Sequence, residues 1–491
     1  MGREIAEREY TISDYEKYNR RIHDQVDLLK EQLERKDFGQ DETCVGAELE
    51  LYLVNDSGVV SPVNLQLLEL LNDNQYQTEL NQFNLEINLS PVKAKGNPFT
   101  QIVKEINGKL KHLRKTAAEI NTMPLAVGIL PTLREKHLTN EYMTNLPRYK
   151  RLASELLKHR GDPFHIKIDG EEAVDFYTSE VCAEGANTSF QVHLMTKPED
   201  FADRFNTAQL TLPMALAAAA NSPVLLGNCS WDETRVVLFK QSIDSRMPDA
   251  SGWRQPSRVT FGHGWVRKSA WELFAETVNL YRPIFPELFD IKPEDKVPEL
   301  AELNLHMGTT WPWNRAVYSN HGKGHLRIEF RALPAGPTPI DMAANAAFSI
   351  GMAVGLQEKI DEYVARIPFR FAEYNFYRAA KNGLKATILW PQNYQNKPVE
   401  VPIKNVIDDM LMVAYDGLAK LGVEKEERDK YLNIIQKRLS TGINGATWIK
   451  QTLKHLRKNL SNDDACMGLM QKYLENQIEG LPVADWERCW K

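Results

Sequence analysis

Five short stretches of this chain alternate an apolar residue with a polar one: 44–53 (CVGAELELYL), 84–89 (NLEINL), 189–194 (SFQVHL), 302–307 (ELNLHM) and 325–331 (HLRIEFR). Successive residues of a strand point to opposite faces, so each stretch is expected to bury Val, Leu, Ile or Phe on one side. The other side then carries Glu48 and Glu50; Asn84, Glu86 and Asn88; Ser189, Gln191 and His193; Asn304 and His306; and Arg327, Glu329 and Arg331. An ordinary solvated sheet face mixes Thr, Lys, Ser and Gln. Here carboxylates, imidazoles and guanidiniums recur on several strands that can share one face. The pattern predicts a sheet with one buried side and one side built to hold cations and phosphates.

The intervening segments set the fold class. The strand candidates are separated by helical stretches of very different lengths, and they alternate instead of running continuously apolar. That points to an α+β fold with a mainly antiparallel sheet and excludes a doubly wound parallel one. Helices are expected over 11–36, opened by Ser13 and Glu16 at capping-box spacing, and over 100–120, 140–160, 199–220 and 341–364. Short strands fall within 164–178. After about 370 the β pattern stops, and helices are expected over 402–421, 424–438, 445–459 and 463–479. This divides the chain into an N-terminal helix (1–40), a catalytic domain (41–370) and a helical C-terminal region (371–491) packed on it. The apolar run 343–356 is too short for a membrane span and reads as a core helix, with Asp341 as its N-cap or first-turn acid. The run 212–220 reads the same way.

The 491 residues carry a formal net charge of −6, which argues against bulk affinity for nucleic acid or anionic membranes. Five scattered cysteines without CxxC spacing suit a reducing compartment and give no zinc pattern. The opening MGREIAEREY has no apolar core, so no signal peptide is expected and the protein is placed in the cytoplasm. No GxxxxGK[ST], strand-borne GxGxxG, GxSxG or HExxH occurs, which removes the P-loop, dinucleotide, serine-hydrolase and zincin readings.

Glu48 and Glu50 lie two apart, so their carboxylates project from one strand face about 7 Å apart. Such a pair can hold Mg²⁺, which wants hard oxygen ligands; cross-strand salt bridges on an exposed face are the plainer alternative. Glu79 and Glu86 flank the Asn81–Asn84 turn with a further acidic pair. Gln191 and His193 offer an amide and a ring nitrogen to a metal or phosphate. Arg327, Glu329 and Arg331 place a carboxylate between two guanidiniums, either to bind metal and phosphate together or as a buried ion network.

In order along the chain, the stretches 46–50 (GAELE), 82–91 (QFNLEINLSP), 188–194 (TSFQVHL), 217–227 (AAAANSPVLLG) with 242–246 (SIDSR), 306–317 (HMGTTWPWNRAV), 327–337 (RIEFRALPAGP), 377–386 (YRAAKNGLKA), 445–448 (GATW) and 480–486 (GLPVADW) resemble motifs of the glutamate–cysteine ligase type 2 family of carboxylate–amine ligases. The likeness runs from about 43 to 486. It implies a glutamine synthetase-like curved, mainly antiparallel sheet with a polar active-site face, helices on the other face and a helical C-terminal region. It implies ATP-dependent amide formation through an acyl phosphate, with glutamate and cysteine as the leading substrates, hence glutathione biosynthesis, with Mg²⁺ (or Mn²⁺) and small-molecule substrates, and without nucleic acid or membrane as a partner. The metal ligands would be Glu48, Glu50, Glu79, Glu86, His193 and Glu329. Gln191, His193, Arg327 and Arg331 would face the nucleotide; Arg246, His306 and Arg315 the substrate; and Arg331 and Arg315 the transferring phosphoryl group. One position departs from the pattern: Gln191 stands where many bacterial members have the first histidine of HxH, and a neutral amide is a weaker metal ligand. A guanidino kinase-like phosphotransferase, a ligase for another amine and a non-catalytic nucleotide-binding regulator stay open as alternatives.

Overall fold

A computed structural model describes residues 8–246, 255–290, 297–392 and 397–490. At its centre lies an eight-stranded sheet in which every neighbouring pair is antiparallel. Six strands form its main path: β1 (Cys44–Val54), β2 (Tyr76–Thr78), β3 (Asn84–Asn88), β4 (Phe190–Thr196), β5 (Asn314–Ser319) and β6 (His325–Phe330), in the order β5-β6-β4-β1-β3-β2. The short strands Val92–Lys93 and Met123–Leu125 pair with the two ends of β1. Alternation does what the sequence implies. In β1, Val45, Ala47, Leu49 and Leu51 are buried while Gly46, Glu48 and Glu50 on the other face are less so.

The buried face continues through Leu85 and Ile87 of β3, Val192 and Leu194 of β4, and Leu326 and Ile328 of β6. The helices include α1 (Ile12–Leu33), α2 (Pro98–Ala118), α3 (Phe201–Ala219), α4 (Ala301–Met307), α5 (Pro339–Gly355), α6 (Ile403–Lys420), α7 (Lys425–Thr441), α8 (Gly445–Leu456) and α9 (Asn462–Glu479), of which α3 packs on β5 and α5 on β4. α5 is the hub: α2, α3, α6 and α7 all contact it, and it touches β4. Its Ala-rich sequence favours helix and leaves little side-chain bulk, so neighbours approach closely. With α6 the backbones themselves meet. A Cβ added at Gly355 would lie 2.0 Å from the Val413 carbonyl oxygen, and one at Gly417 would lie 2.0 Å from that of Gly351. Among the described residues no single helix is long and apolar enough to cross a membrane.

The C-terminal helices are tied into this core by polar contacts as well. Arg438 of α7, 1 % exposed, donates to Asp341 Oδ1 at 2.7 Å and to Asn345 Oδ1 at 2.6 Å on α5. Tyr473 and Gln477 of α9 donate to the Ala126 carbonyl at 3.1 and 2.8 Å.

Three expectations are corrected. The 302–307 stretch is helix α4, not a strand: Leu303 and Met307 alternate as in a strand but also lie four apart as on a helix stripe, and packing decides for the helix. Tyr18 of α1 donates to the Glu302 carbonyl at 2.7 Å, and Leu303 N donates to Gln25 Oε1 at 2.8 Å. α1 is capped by Thr11 with Asp14 in a capping box, two residues earlier than Ser13 and Glu16. Beyond 370 the β pattern does not end, since Thr387–Trp390 and Val399–Pro402 form an antiparallel hairpin.

Candidate active site

The polar face of the sheet is assembled by register. Glu50 of β1 faces Glu86 of β3, and Glu48 faces Asn88 on one side and Gln191 of β4 on the other. His193 of β4 faces Glu329 of β6, which faces Arg315 of β5. Glu79 follows directly on β2, beside β3. The side chains gather into two groups whose ligand atoms all lie within 4.8 Å of one another: Glu48, His193 and Glu329, and Glu50, Glu79 and Glu86.

The first group comes with its own cations. Glu329 is fully buried and its carboxylate is gripped on both sides. Arg315 donates from Nη2 to Oε1 at 3.0 Å and from Nε to Oε2, and Arg331 Nη1 donates to Oε1 at 2.8 Å. Burial raises the Glu329 carboxyl, but Arg315 and Arg331 outweigh it and hold the group ionised far below the usual range. His193 Nε2 sits 3.1 Å from Glu48 Oε1, and its buried Nδ1 has no partner. Burial alone would raise Glu48; the facing imidazole more than offsets it, so the carboxyl stays below its ordinary value. Arg327, on the same strand face, has a buried Nε without a partner and makes no ion pair among the described residues.

The second group has no cation in direct contact; Arg235 and Arg331 act on Glu50, and Arg148 on Glu79, only from further away, and burial outweighs them. Among the described residues no arginine, lysine or histidine lies within ion-pairing distance of Glu50, Glu79 or Glu86. Glu50 accepts from Ser189 N at 2.7 Å and Gln191 Nε2 at 2.6 Å, and Glu86 accepts from Asn88 Nδ2 at 2.6 Å. Burial, then repulsion from Glu50 and Glu184, pushes Glu79 up to about 8. Burial, then Glu48, Glu79 and Glu50, drives Glu86 well above the carboxylate range. Closely set hard oxygens that repel one another are the donor set a small divalent cation takes. The residues therefore fit Mg²⁺ at both groups, and the need for its charge is concentrated at Glu50, Glu79 and Glu86.

Glu184 belongs to the same neighbourhood and was not singled out from the sequence. It lies on the 3-10 turn Glu184–Ala186, where Tyr52 donates to the Ala186 carbonyl and Asn81 Nδ2 to that of Cys182 at 3.0 Å. Burial and then Glu50 push it up to about 8. No alternating pattern surrounds it, so nothing in the local sequence marks it.

Two expected substrate residues are placed elsewhere. His306 is on α4 with its ring buried, Nε2 3.3 Å from the Thr277 carbonyl, and burial lowers it to about 4. It does not reach the polar face, because the strand that was to carry it is a helix. Arg246 is engaged bidentately by Asp244 at 2.6 and 2.7 Å, and no described contact joins it to the carboxylate groups. Arg315 is brought to the face, as a clamp on Glu329.

The sequence profile of the glutamate–cysteine ligase family 2 matches residues 44–468. Among solved structures, a glutamate–cysteine ligase from Francisella tularensis in complex with AMP matches with a TM-score of 0.51 at 11% identity, over 90% of each chain. A bifunctional glutathione synthetase from Pasteurella multocida matches at 0.46 and 12% identity, over 93% of this chain and 55% of its own. A complex between the prokaryotic ubiquitin-like protein Pup and its ligase PafA gives 0.36 and 9%, over 89% of this chain and 72% of its own. No curated protein sequence matches this one. The first of these shares the fold with this chain: a curled antiparallel sheet with many helices.

Proposed function

From the premise that this chain belongs to the glutamate–cysteine ligase family 2, we propose that it is an ATP-dependent carboxylate–amine ligase, with glutamate and cysteine as its leading substrates. One observation carries this reading: a carboxylate group with no ion pair among the described residues (Glu50, Glu79, Glu86) lies on the same sheet face as a row of guanidiniums (Arg315, Arg327, Arg331). A polyphosphate with its divalent ions presents the complementary charges, positive toward the acids and negative toward the arginines. When bound, Mg²⁺ supplies neutralisation of the polyphosphate and fixes its orientation.

The chain's own residues do the rest. The carboxylate of the first substrate attacks the γ-phosphorus of ATP; the bond to ADP breaks and an acyl phosphate forms. Arg331 is held by Glu329 and Gln191 with donors left over, and Arg327 makes no ion pair among the described residues, so both are available to equatorial phosphoryl oxygens whose charge grows in the transition state. Arg315 acts at one remove by fixing Glu329. The amine then attacks the acyl carbon, phosphate leaves and an amide results. Glu48, Glu50, Glu79, Glu86, His193 and Glu329 are the proposed cation ligands.

The test is interception. With ATP, Mg²⁺ and glutamate, added hydroxylamine should yield a hydroxamate together with ADP, and cysteine should compete with it. ATP-dependent phosphorylation of a guanidino compound with no hydroxamate would replace the ligase reading by the kinase one. No ADP release with any amino-acid pair would remove both.

A further inference from the structure

Gln191 stands where the two carboxylate groups meet. It is 3 % exposed, and both ends of its amide are engaged. Oε1 accepts from Arg331 Nη1 at 2.5 Å, and Nε2 donates to Glu50 Oε1 at 2.6 Å. Arg331 Nη1 also donates to Glu329 Oε1 at 2.8 Å, and Ser189 N donates to Glu50 Oε2 at 2.7 Å. A continuous chain thus runs from Glu329 of the first group through Arg331 and Gln191 to Glu50 of the second.

The polarity of that chain is fixed. A guanidinium only donates and an ionised carboxylate only accepts, so the amide has one workable orientation: carbonyl toward Arg331, NH₂ toward Glu50. The carbonyl oxygen is the only atom of glutamine able to ligate a cation, and it is turned to a guanidinium. The position where a metal-binding histidine would be expected is therefore wired differently here.

We propose that Gln191 is a positioning residue and not a cation ligand: its amide locks Arg331 and Glu50 in one relative orientation, so that the phosphoryl-facing cation and the carboxylate group beside it work as one site. This rests on the ligase reading above. Loss of the amide frees Arg331 to swing on Glu329 alone and lets Glu50 turn on Ser189 N alone. Cation binding keeps all its ligands; the alignment of the phosphoryl group is lost.

The test uses the full chain with Gln191→Met, which keeps length but neither hydrogen bond, and Gln191→Asn, which is too short to span both partners and disturbs packing less. Mn²⁺ alone is titrated by the disappearance of its free-ion electron paramagnetic resonance signal, and ADP release is followed with ATP, Mg²⁺ and the amino-acid pair. Both variants are expected to bind as many Mn²⁺ ions as the wild type, while kcat falls about 10–100-fold, the range for loss of an outer hydrogen-bond partner, and KM for ATP moves less than about threefold. Loss of one Mn²⁺ from both variants, restored by Gln191→His, would make Gln191 a ligand and overturn the proposal. So would a lowered melting temperature with kcat unchanged, the signature of a merely structural contact. A wild type that takes up Mn²⁺ and releases ADP confines either failure to Gln191. A wild type that does neither removes the ligase reading and this inference with it.

Discussion

The carboxylates of the second group make a quantitative prediction about pH, stability and metal. Burial and its carboxylate neighbours move Glu79 from 4.5 up to about 8. Between those values the folded protein holds a proton that the unfolded chain has released, so stability falls as pH rises through this window. At about 1.4 kcal/mol per unit, the penalty grows by up to about 4 kcal/mol between pH 5 and pH 8. Glu79 is only partly buried, so water screens some of the repulsion, and about half of that is a fair lower bound. Glu79→Gln keeps the shape and removes the Glu79 contribution to the titration, leaving those of Glu86 and Glu184. A chain of 491 residues unfolds with an entropy of about 1 kcal/mol/K. The melting temperature of the variant should therefore gain on the wild type by about 2–4 °C as pH is raised from 5 to 8 in EDTA. Mg²⁺ should do to the wild type at pH 8 what the substitution does, raising its melting temperature while moving the variant much less. Binding at pH 7 should release at least one proton, because Glu79 and Glu86 both carry raised carboxyls, read from calorimetric titrations in two buffers of different ionisation enthalpy. A gap that stays constant with pH, or an equal response of both proteins to Mg²⁺, would refute the reasoning.

Other outcomes follow from the same geometry. Glu48→Gln should lower ADP release at least ~100-fold at saturating Mg²⁺ with an unchanged far-ultraviolet circular dichroism spectrum. Arg315→Met removes the bidentate half of the clamp on buried Glu329, so the melting temperature should fall by about 3–5 °C. His306→Leu, far from the polar face, should leave KM for every substrate unchanged, and a clear rise in any of them would restore the substrate role first expected for it. Arg438→Met strands Asp341 in the core and should cost about 3–5 kcal/mol in a denaturant melt.

Much of this site is legible because strand periodicity converts sequence position into facing direction. Glu48, Glu50, Glu86, Gln191, His193, Glu329 and Arg331 are each reached by counting in twos along β1, β3, β4 and β6. The count fails where two periods coincide, as in 302–307, where six residues satisfy both a strand and a helix and only Tyr18 and Gln25 on α1 settle it. It also says nothing about residues off the strands: Glu184 comes to Glu50 by way of a turn that Tyr52 and Asn81 hold in place. Chemistry is less legible than position. Arg246 is available to a substrate carboxylate in sequence terms, but Asp244, two residues away, occupies it. Gln191 reads as a weakened ligand until its two partners are seen.

The contact of α5 with α6 has a consequence for how variation in this chain should be interpreted. Gly351, Gly355 and Gly417 let two backbones touch, and α5 in turn leans on the strand that carries Gln191 and His193. A single methyl group at Gly355 or Gly417 must push the helices apart, and the displacement is handed to β4 because close-packed interiors do not absorb it locally. A mutational scan scored by turnover would then flag these glycines beside the carboxylates and arginines, although none of them meets a ligand. Scoring abundance in parallel separates the two classes: the glycine variants lose protein and activity together, whereas Glu48→Gln loses activity alone.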